Sequence, residues 1–392
     1  MKFTHKIALF TAAIGAQCSL LGAVIQNAHA TPARDFYIQQ AMARYFSLPQ
    51  DARSLGLGGA TSTICTGPQC LYMNPAGSAR TSFSALAGSI GADRFSGDEF
   101  LEQSEITQRQ YSGYLSGSVP IGSTEFTRAN GEVSDEGAPY YGAVLLGYSR
   151  YHGDTNDSIN TTPDGHRRSI GYALAPSDAL SLGYAFHFYD DQLRTDLADL
   201  HSHARFLHLF GAQYELSKQT TLGLVLKYGL GQSDTEEFEI QSNGLSRPRQ
   251  YTAALAVSHD IDGVRLYAGQ DYTKLHSDGN LTEVASPAVV IGSDESGYTL
   301  TTKLGVELLD LHDFSLRAGV RYQWAEYTFE RTDLQSLTGN YSGVGISGGV
   351  GYTLAGDVGH ANSIRVDYGV EYAHIGNGSW EHILSLVLPF SL

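Results

Sequence analysis

Three groups of residues in this chain have types and spacings that carry chemistry in other settings. Gly345-Ile346-Ser347-Gly348-Gly349 satisfies G-x-S-x-G, the spacing that holds a serine nucleophile on a sharp strand-to-helix turn. Overlapping it, Gly343-Val344-Gly345-Ile346-Ser347-Gly348 satisfies G-x-G-x-x-G, which opens a phosphate-binding helix after a strand. Both need a turn and a helix, and here both sit inside one alternating run over 341–354. The serine has no recognisable His and Asn partners either. His201, His203 and His208 form the third group, in and beside a polar stretch where histidines are ordinarily solvated. No catalytic residue, metal site or cofactor is assigned, and the chain is read as a non-enzyme.

What surrounds these groups is a beat of period two. Leu180, Leu182, Tyr184, Phe186 and Phe188 alternate with Ser181, Gly183, Ala185, His187 and Tyr189. Such alternation means a strand with one apolar face. It recurs near 82–95, 109–120, 139–152, 167–175, 179–190, 205–216, 220–232, 249–260, 263–275, 297–309, 313–329, 341–354, 362–375 and 380–392. Fourteen antiparallel segments of about ten residues are the pattern of an all-β transmembrane barrel, in which an even number of strands close on themselves. The opposite phase supports it, because Lys227, Arg265, Asp271, Lys303, Glu307, Arg317, Arg321, Arg365, Asp367 and Glu371 all share it. A soluble sandwich would bury its apolar face and put such charges in water. A membrane barrel turns the apolar face to lipid and the charges to the lumen.

The connections alternate in length. Turns at 176–177, 217–219, 261–262 and 310–312 separate longer polar stretches at 153–166, 191–204, 233–248, 276–296 and 330–340. Short periplasmic turns and long external loops are the usual asymmetry. Leu193, Leu197 and Leu200 have helical spacing and predict a short helix within 191–204.

Residues 1–30 read as a signal peptide, with Lys2 and Lys6 before a mostly apolar stretch and Ala28-His29-Ala30 as the cleavage site. The expected location is the outer membrane of a Gram-negative-type bacterium. Removing the segment leaves 23 basic against 41 acidic residues, which excludes a nucleic-acid partner because phosphate contacts need clustered cations. The acids gather in the polar loops, either bridged to lipopolysaccharide by divalent cations or simply solvated. Outer-membrane lipid is the expected surrounding partner.

Residues 31–80 lack the barrel beat and precede the barrel at 81–392, so they are the expected plug. A short helix is predicted over 33–46. Cys65 and Cys70 flank Thr66-Gly67-Pro68-Gln69, whose Gly-Pro turn brings them together, and after export a disulfide is expected. Gly343, Gly345, Ser347, Gly349 and Gly351 form an inner stripe without bulk, which implies something packed closely against it.

Asp51-Ala52-Arg53-Ser54-Leu55-Gly56-Leu57-Gly58-Gly59-Ala60, followed by Asn74-Pro75-Ala76-Gly77 before the first strand, resembles the hatch of FadL-type outer-membrane transporters and of their PorV-type relatives. The resemblance implies a hatch whose motif residues are Gly56, Gly58, Gly59, Asn74, Pro75 and Ala76. In the FadL branch it implies passive transport of small hydrophobic compounds, and in the PorV branch the binding of secreted proteins.

Overall fold

The structure, a computed structural model, describes residues 50–81, 84–98, 105–121, 141–156, 162–194, 199–229, 249–277, 282–284, 289–291, 295–331, 334–355, 364–374 and 379–390. The expected signal peptide, the helix predicted over 33–46 and the connection 122–140 lie outside these residues. Fourteen antiparallel strands close into one barrel. They are β1 (Ser84–Asp98), β2 (Glu105–Ile121), β3 (Tyr141–Asn156), β4 (Thr162–Ala175), β5 (Leu180–Arg194), β6 (Asp199–Glu215) and β7 (Thr220–Gly229). The second half runs through β8 (Arg249–Ile261), β9 (Val264–Ser277), β10 (Glu295–Leu311), β11 (Phe314–Arg331), β12 (Leu334–Ala355), β13 (Ile364–His374) and β14 (Ser379–Phe390). A separate ribbon pairs Thr282–Val284 with Val289–Ile291 between β9 and β10.

The barrel is closed by β1 and β14, paired from Ser84 opposite Phe390 to Phe95 opposite Ser379. Every barrel strand therefore has two neighbours, and the barrel leaves no edge to recruit another chain. Exposure follows the alternation. Ile90 (68%), Leu115 (57%) and Leu255 (62%) stand on the outside, while Glu307, Arg317 and Asp367 are buried on the inside. This inverted arrangement is the one a lipid surround favours. No helix among the described residues is long and apolar enough to cross a membrane.

Between β8 and β9 the chain reverses over Asp262 (φ 47°) and Gly263 (φ 83°). Two positive φ angles at an Asp-Gly pair are the signature of the tight hairpin turn whose twist matches the strands it joins. Strand direction places the turns at 176–179, 216–219, 262–263 and 312–313 at the same end as Ser84 and Phe390.

Several strands extend beyond their apolar segments, and this corrects three expected loops. β5 runs to Arg194 and β6 begins at Asp199, so most of 191–204 is hairpin. Leu193 and Leu200 are register partners across it rather than neighbours on a helix, and Leu197 is outside the described residues. Similarly, β12 begins at Leu334, so 334–340 is strand and not loop. β3 continues to Asn156 and β4 starts at Thr162, which shortens the stretch expected at 153–166. Backbone pairing propagates from the membrane-spanning ladder without needing apolar side chains, so strands outlast the alternation that reveals them.

Candidate functional site

The lumen is occupied by residues 50–81, hereafter the hatch. Its first element is a single helical turn, α1 (Ala52–Gly56), in which the Asp51 side chain accepts a hydrogen bond from the Ser54 amide at 2.6 Å. Burial pushes the Asp51 carboxyl above its ordinary pKa, and the Ser54 amide opposes that shift. Gly58 and Gly59 follow with φ of 63° and 75°, which turns the chain where a side chain would be strained. A Cβ on Gly58 would also come within 2.9 Å of the Val320 backbone nitrogen. Gly56 lies against Gly349 in β12, its virtual Cβ 3.1 Å from the Gly349 Cα, while Gly59 borders the Lys303 stem.

Beyond α1 the chain passes Cys65 and then two 3-10 turns, Pro68–Tyr72 and Pro75–Ser78, with Cys70 in the first of them bonded to Cys65 as a disulfide. Asn74 joins these turns and is fully buried. Its Oδ1 accepts from the Ala76 amide at 3.1 Å. Its Nδ2 donates to the carbonyls of Thr63 (2.6 Å), Ala212 (3.2 Å) and Leu224 (3.4 Å), tying the hatch to itself, to β6 and to β7. Cys65 adds a further tie, its carbonyl accepting from Gln213 Nε2 at 3.0 Å.

The two sides of the hatch meet the wall differently. On one side, Arg53 reaches β10 and donates from Nε and Nη2 to the two Glu307 oxygens at 3.0 and 2.7 Å, with a third bond to the Tyr267 hydroxyl at 3.0 Å. Glu307 also accepts from Arg317 (2.8 Å), Arg317 pairs with Asp367 (2.7 Å), and Arg365 donates to Asp367 (2.6 Å). The result is a buried relay of three arginines and two carboxylates across β10, β11 and β13. Lys303 pairs with Asp271 and donates to Ser62 of the hatch at 3.1 Å, and Arg321 pairs with Glu371. Beyond the relay and these two luminal pairs, two further expected charges remain. Arg265 pairs with Asp260 next to the β8–β9 turn, and Lys227, half-buried on β7, makes no ion pair among the described residues.

On the other side the buried contacts are aromatic or to backbone, and the ion pair of Arg80 with Glu215 at the end of β6 is exposed. Tyr72 lies 5.1 Å from Tyr114 and 5.7 Å from His187, ring centre to ring centre. The Ser169 hydroxyl hydrogen-bonds His187 Nδ1 at 2.7 Å. Above them the Arg167 guanidinium sits over the rings of Tyr151 (5.3 Å) and Tyr189 (4.9 Å), within cation–π range.

Asn74-Pro75-Ala76 does not pack on the glycine stripe of 343–351. It packs on β5 and β6, where a Cβ on Gly183 would overlap Ala76 and one on Gly211 would overlap the Asn74 side chain. Within the stripe, Gly349 is the glycine that meets the described part of the hatch. At Gly345 and Gly351 the open space is filled by the side chains of Arg321 with Glu371, and of Arg317 with Asp367. The stripe makes room for ion pairs as much as for the hatch.

Sequence reasoning missed Arg53, whose partner Glu307 lies 254 residues away. It also missed Leu57, wedged against Gly305 and Gly319, and the aromatic group around Tyr72. The inward phase of Gly183, Gly211 and Gly319 was the available signal for where the wall receives the hatch. None of the described residues forms a cluster of His, Cys, Asp and Glu suited to a metal.

No protein-family model and no curated relative matches the sequence. Comparison with solved structures gives a clear answer on fold. The CymD monoaromatic hydrocarbon channel is similar at a TM-score of 0.54 and 12% identity, over 88% of this chain and 98% of that one. A Pseudomonas aeruginosa FadL homologue is similar at 0.54 and 13%, over 87% and 98%. The TodX monoaromatic hydrocarbon channel, as a deltaS2 mutant, gives 0.53 and 12%, over 87% and 99%. The chain has the FadL-type fold, a fourteen-stranded barrel.

Proposed function

We propose that the protein is an outer-membrane channel for passive transport of small hydrophobic compounds. The observation that carries this reading is the hatch: residues 50–81 are held inside the closed barrel by buried ion pairs and by glycine contacts. A barrel stoppered in this way does not serve as a wide water-filled pore, so a solute crosses by displacing part of the hatch or by leaving through the wall. The similar structures named above, two of them hydrocarbon channels, support the same class of cargo. The aromatic group of Tyr72, Tyr114, Tyr151 and Tyr189 gives an apolar compound rings to lie against inside an otherwise charged lumen. The alternative of a PorV-type partner for secreted proteins draws no support from these structures.

Uptake of labelled hydrophobic compounds, monoaromatic ones included, is compared between a deletion strain and its complemented parent. The complemented strain is expected to take up at least one compound faster. Replacing Asn74 and Pro75 together with alanine is expected to change that uptake while the barrel still assembles. No difference for any compound, with a secreted protein co-purifying on the loops, would overturn the transport reading.

A further inference from the structure

The outer wall of β1–β4 carries a feature that transport does not use. Among the residues whose burial is described, its outward charges are Arg94, Arg109, Arg150 and Arg168 against Asp154 and Asp164. Acidic residues follow in sequence at Asp98, Glu99, Glu102 and Glu105, so what sets this face apart is the arginine pair itself and not a cationic surplus. Register sharpens the point, since Arg94 on β1 stands directly opposite Arg109 on β2. Like charges facing each other across a ladder are destabilising. Asp154 stands opposite Arg109 on its other side, and Trp380 opposite Arg94. Even so, neither arginine makes an ion pair or hydrogen bond among the described residues, whereas Arg150 is held by Asp164 at 2.9 and 3.3 Å.

Beside this pair an open groove of about 740 Å³ runs along the outside of the barrel. Gly113 and Ala92 give it a low floor, and Ile90, Tyr111, Tyr368 and Leu384 give it apolar sides. Arg150 and His152 stand on its border. Arg94 and Arg109 are two residues beyond Ala92 and Tyr111 on the same face, so the groove leads straight to the arginine pair. They lie toward the β1–β2 connection, at the end opposite the tight turns. In barrels of this kind that end faces outward, so the groove would meet the outer leaflet.

We infer that this face binds lipopolysaccharide, with a lipid A phosphate bridging Arg94 and Arg109 and an acyl chain lying in the groove over Gly113. Guanidinium forks match phosphate oxygens in pairs, and one phosphate between two arginines removes their mutual repulsion. The inference rests on the outer-membrane placement in the proposed function but not on the transported compound.

The test uses the full-length protein purified in detergent, with heat-modifiable gel migration to confirm a folded barrel. Wild type and an Arg94→Gln/Arg109→Gln variant are incubated with bisphosphorylated lipid A, and native mass spectrometry reads the bound fraction. The variant is expected to bind about tenfold less or weaker still, the effect of losing charged hydrogen bonds to one phosphate. Lipid A stripped of its phosphates should bind wild type no better than bisphosphorylated lipid A binds the variant. Uptake of hydrophobic compounds by the variant should be unchanged, so failed transport and failed lipid binding are separate results. Equal binding by both proteins, or binding indifferent to the phosphates, overturns the inference. Displacement of the lipid by inorganic phosphate alone at millimolar concentration would assign the arginines to a soluble anion and overturn it as well.

Discussion

The two luminal walls hold the same hatch by opposite means. Across β10, β11 and β13, the wall presents Glu307, backed by Arg317, Asp367 and Arg365, to the buried hatch cation Arg53. Across β5 and β6, the wall presents Gly183 and Gly211, and the hatch answers with the backbone turn at Asn74-Pro75-Ala76. Charge needs length, because a guanidinium must reach its carboxylate. Backbone contact needs the absence of side chains. The first kind of attachment is costly to break, since a buried charge without its partner is penalised heavily. The second depends on shape and on hydrogen bonds of ordinary strength. The contrast makes the glycine side the natural place for a hatch to yield while the charged side anchors it.

The largest effect is expected on the anchored side. Glu307→Ala leaves Arg53 and Arg317 buried without their shared carboxylate and should cost about 3–5 kcal/mol. Thermal unfolding followed by heat-modifiable migration reads this. Arg265→Gln, which breaks the pair with Asp260 next to the turn, is the control and should cost about 1 kcal/mol or less. If the two variants melt together, the relay is no anchor.

Next in size is a charge placed outside the apolar wall. Leu182→Arg on the lipid face of β5 should cost about 2–4 kcal/mol if it lies near the bilayer midplane. Refolding into vesicles against denaturant measures it, and a negligible cost would mean the face does not meet lipid.

Asn74→Ala should cost about 1–3 kcal/mol through the carbonyls it leaves unpaired. Its clearer signature is a rise in planar-bilayer conductance from a near-closed wild type. A stability loss equal to that of Glu307→Ala, with conductance still closed, would erase the difference between the walls.

The smallest effect on the barrel belongs to Cys70→Ser. Losing the disulfide should leave the barrel's melting point in place and speed proteolysis of the hatch, because the closed loop is short and wholly outside the strands. A lowered barrel melting point would show that the bridge supports the wall.

Much of this was legible in the order of residues. Alternation such as Ile364, Val366, Tyr368 against Arg365, Asp367, Gly369 gave the faces of β13, because a strand has only two sides and lipid and lumen demand different residues. The short turns were legible because the alternation breaks for only two or three residues there, and at Asp262-Gly263 the residue types accept positive φ. The polar continuations of β5, β6 and β12 were not, since pairing there is carried by the backbone, which is the same for every sequence. Within the site, the hatch glycines showed that something approaches closely but not which wall it approaches. Arg53 shows the limit most clearly. Nothing local to Asp51-Ala52-Arg53 distinguishes a solvated arginine from one clamped to Glu307, because the partner arrives only when the barrel closes.

That closure has a consequence for how the molecule is made. The ladder between β1 and β14 is the final seam of a ring, and once it is zipped a segment the size of the hatch has to enter the lumen through one of the two mouths. The hatch, however, touches β5, β6, β10, β11, β12 and β13 at the same time. Its simplest route is to settle on a still-open sheet that then curls around it, using the hatch as a mandrel. The glycines of the two walls would then act first in biogenesis, setting how tightly the growing sheet can wrap, and only afterwards in the finished channel.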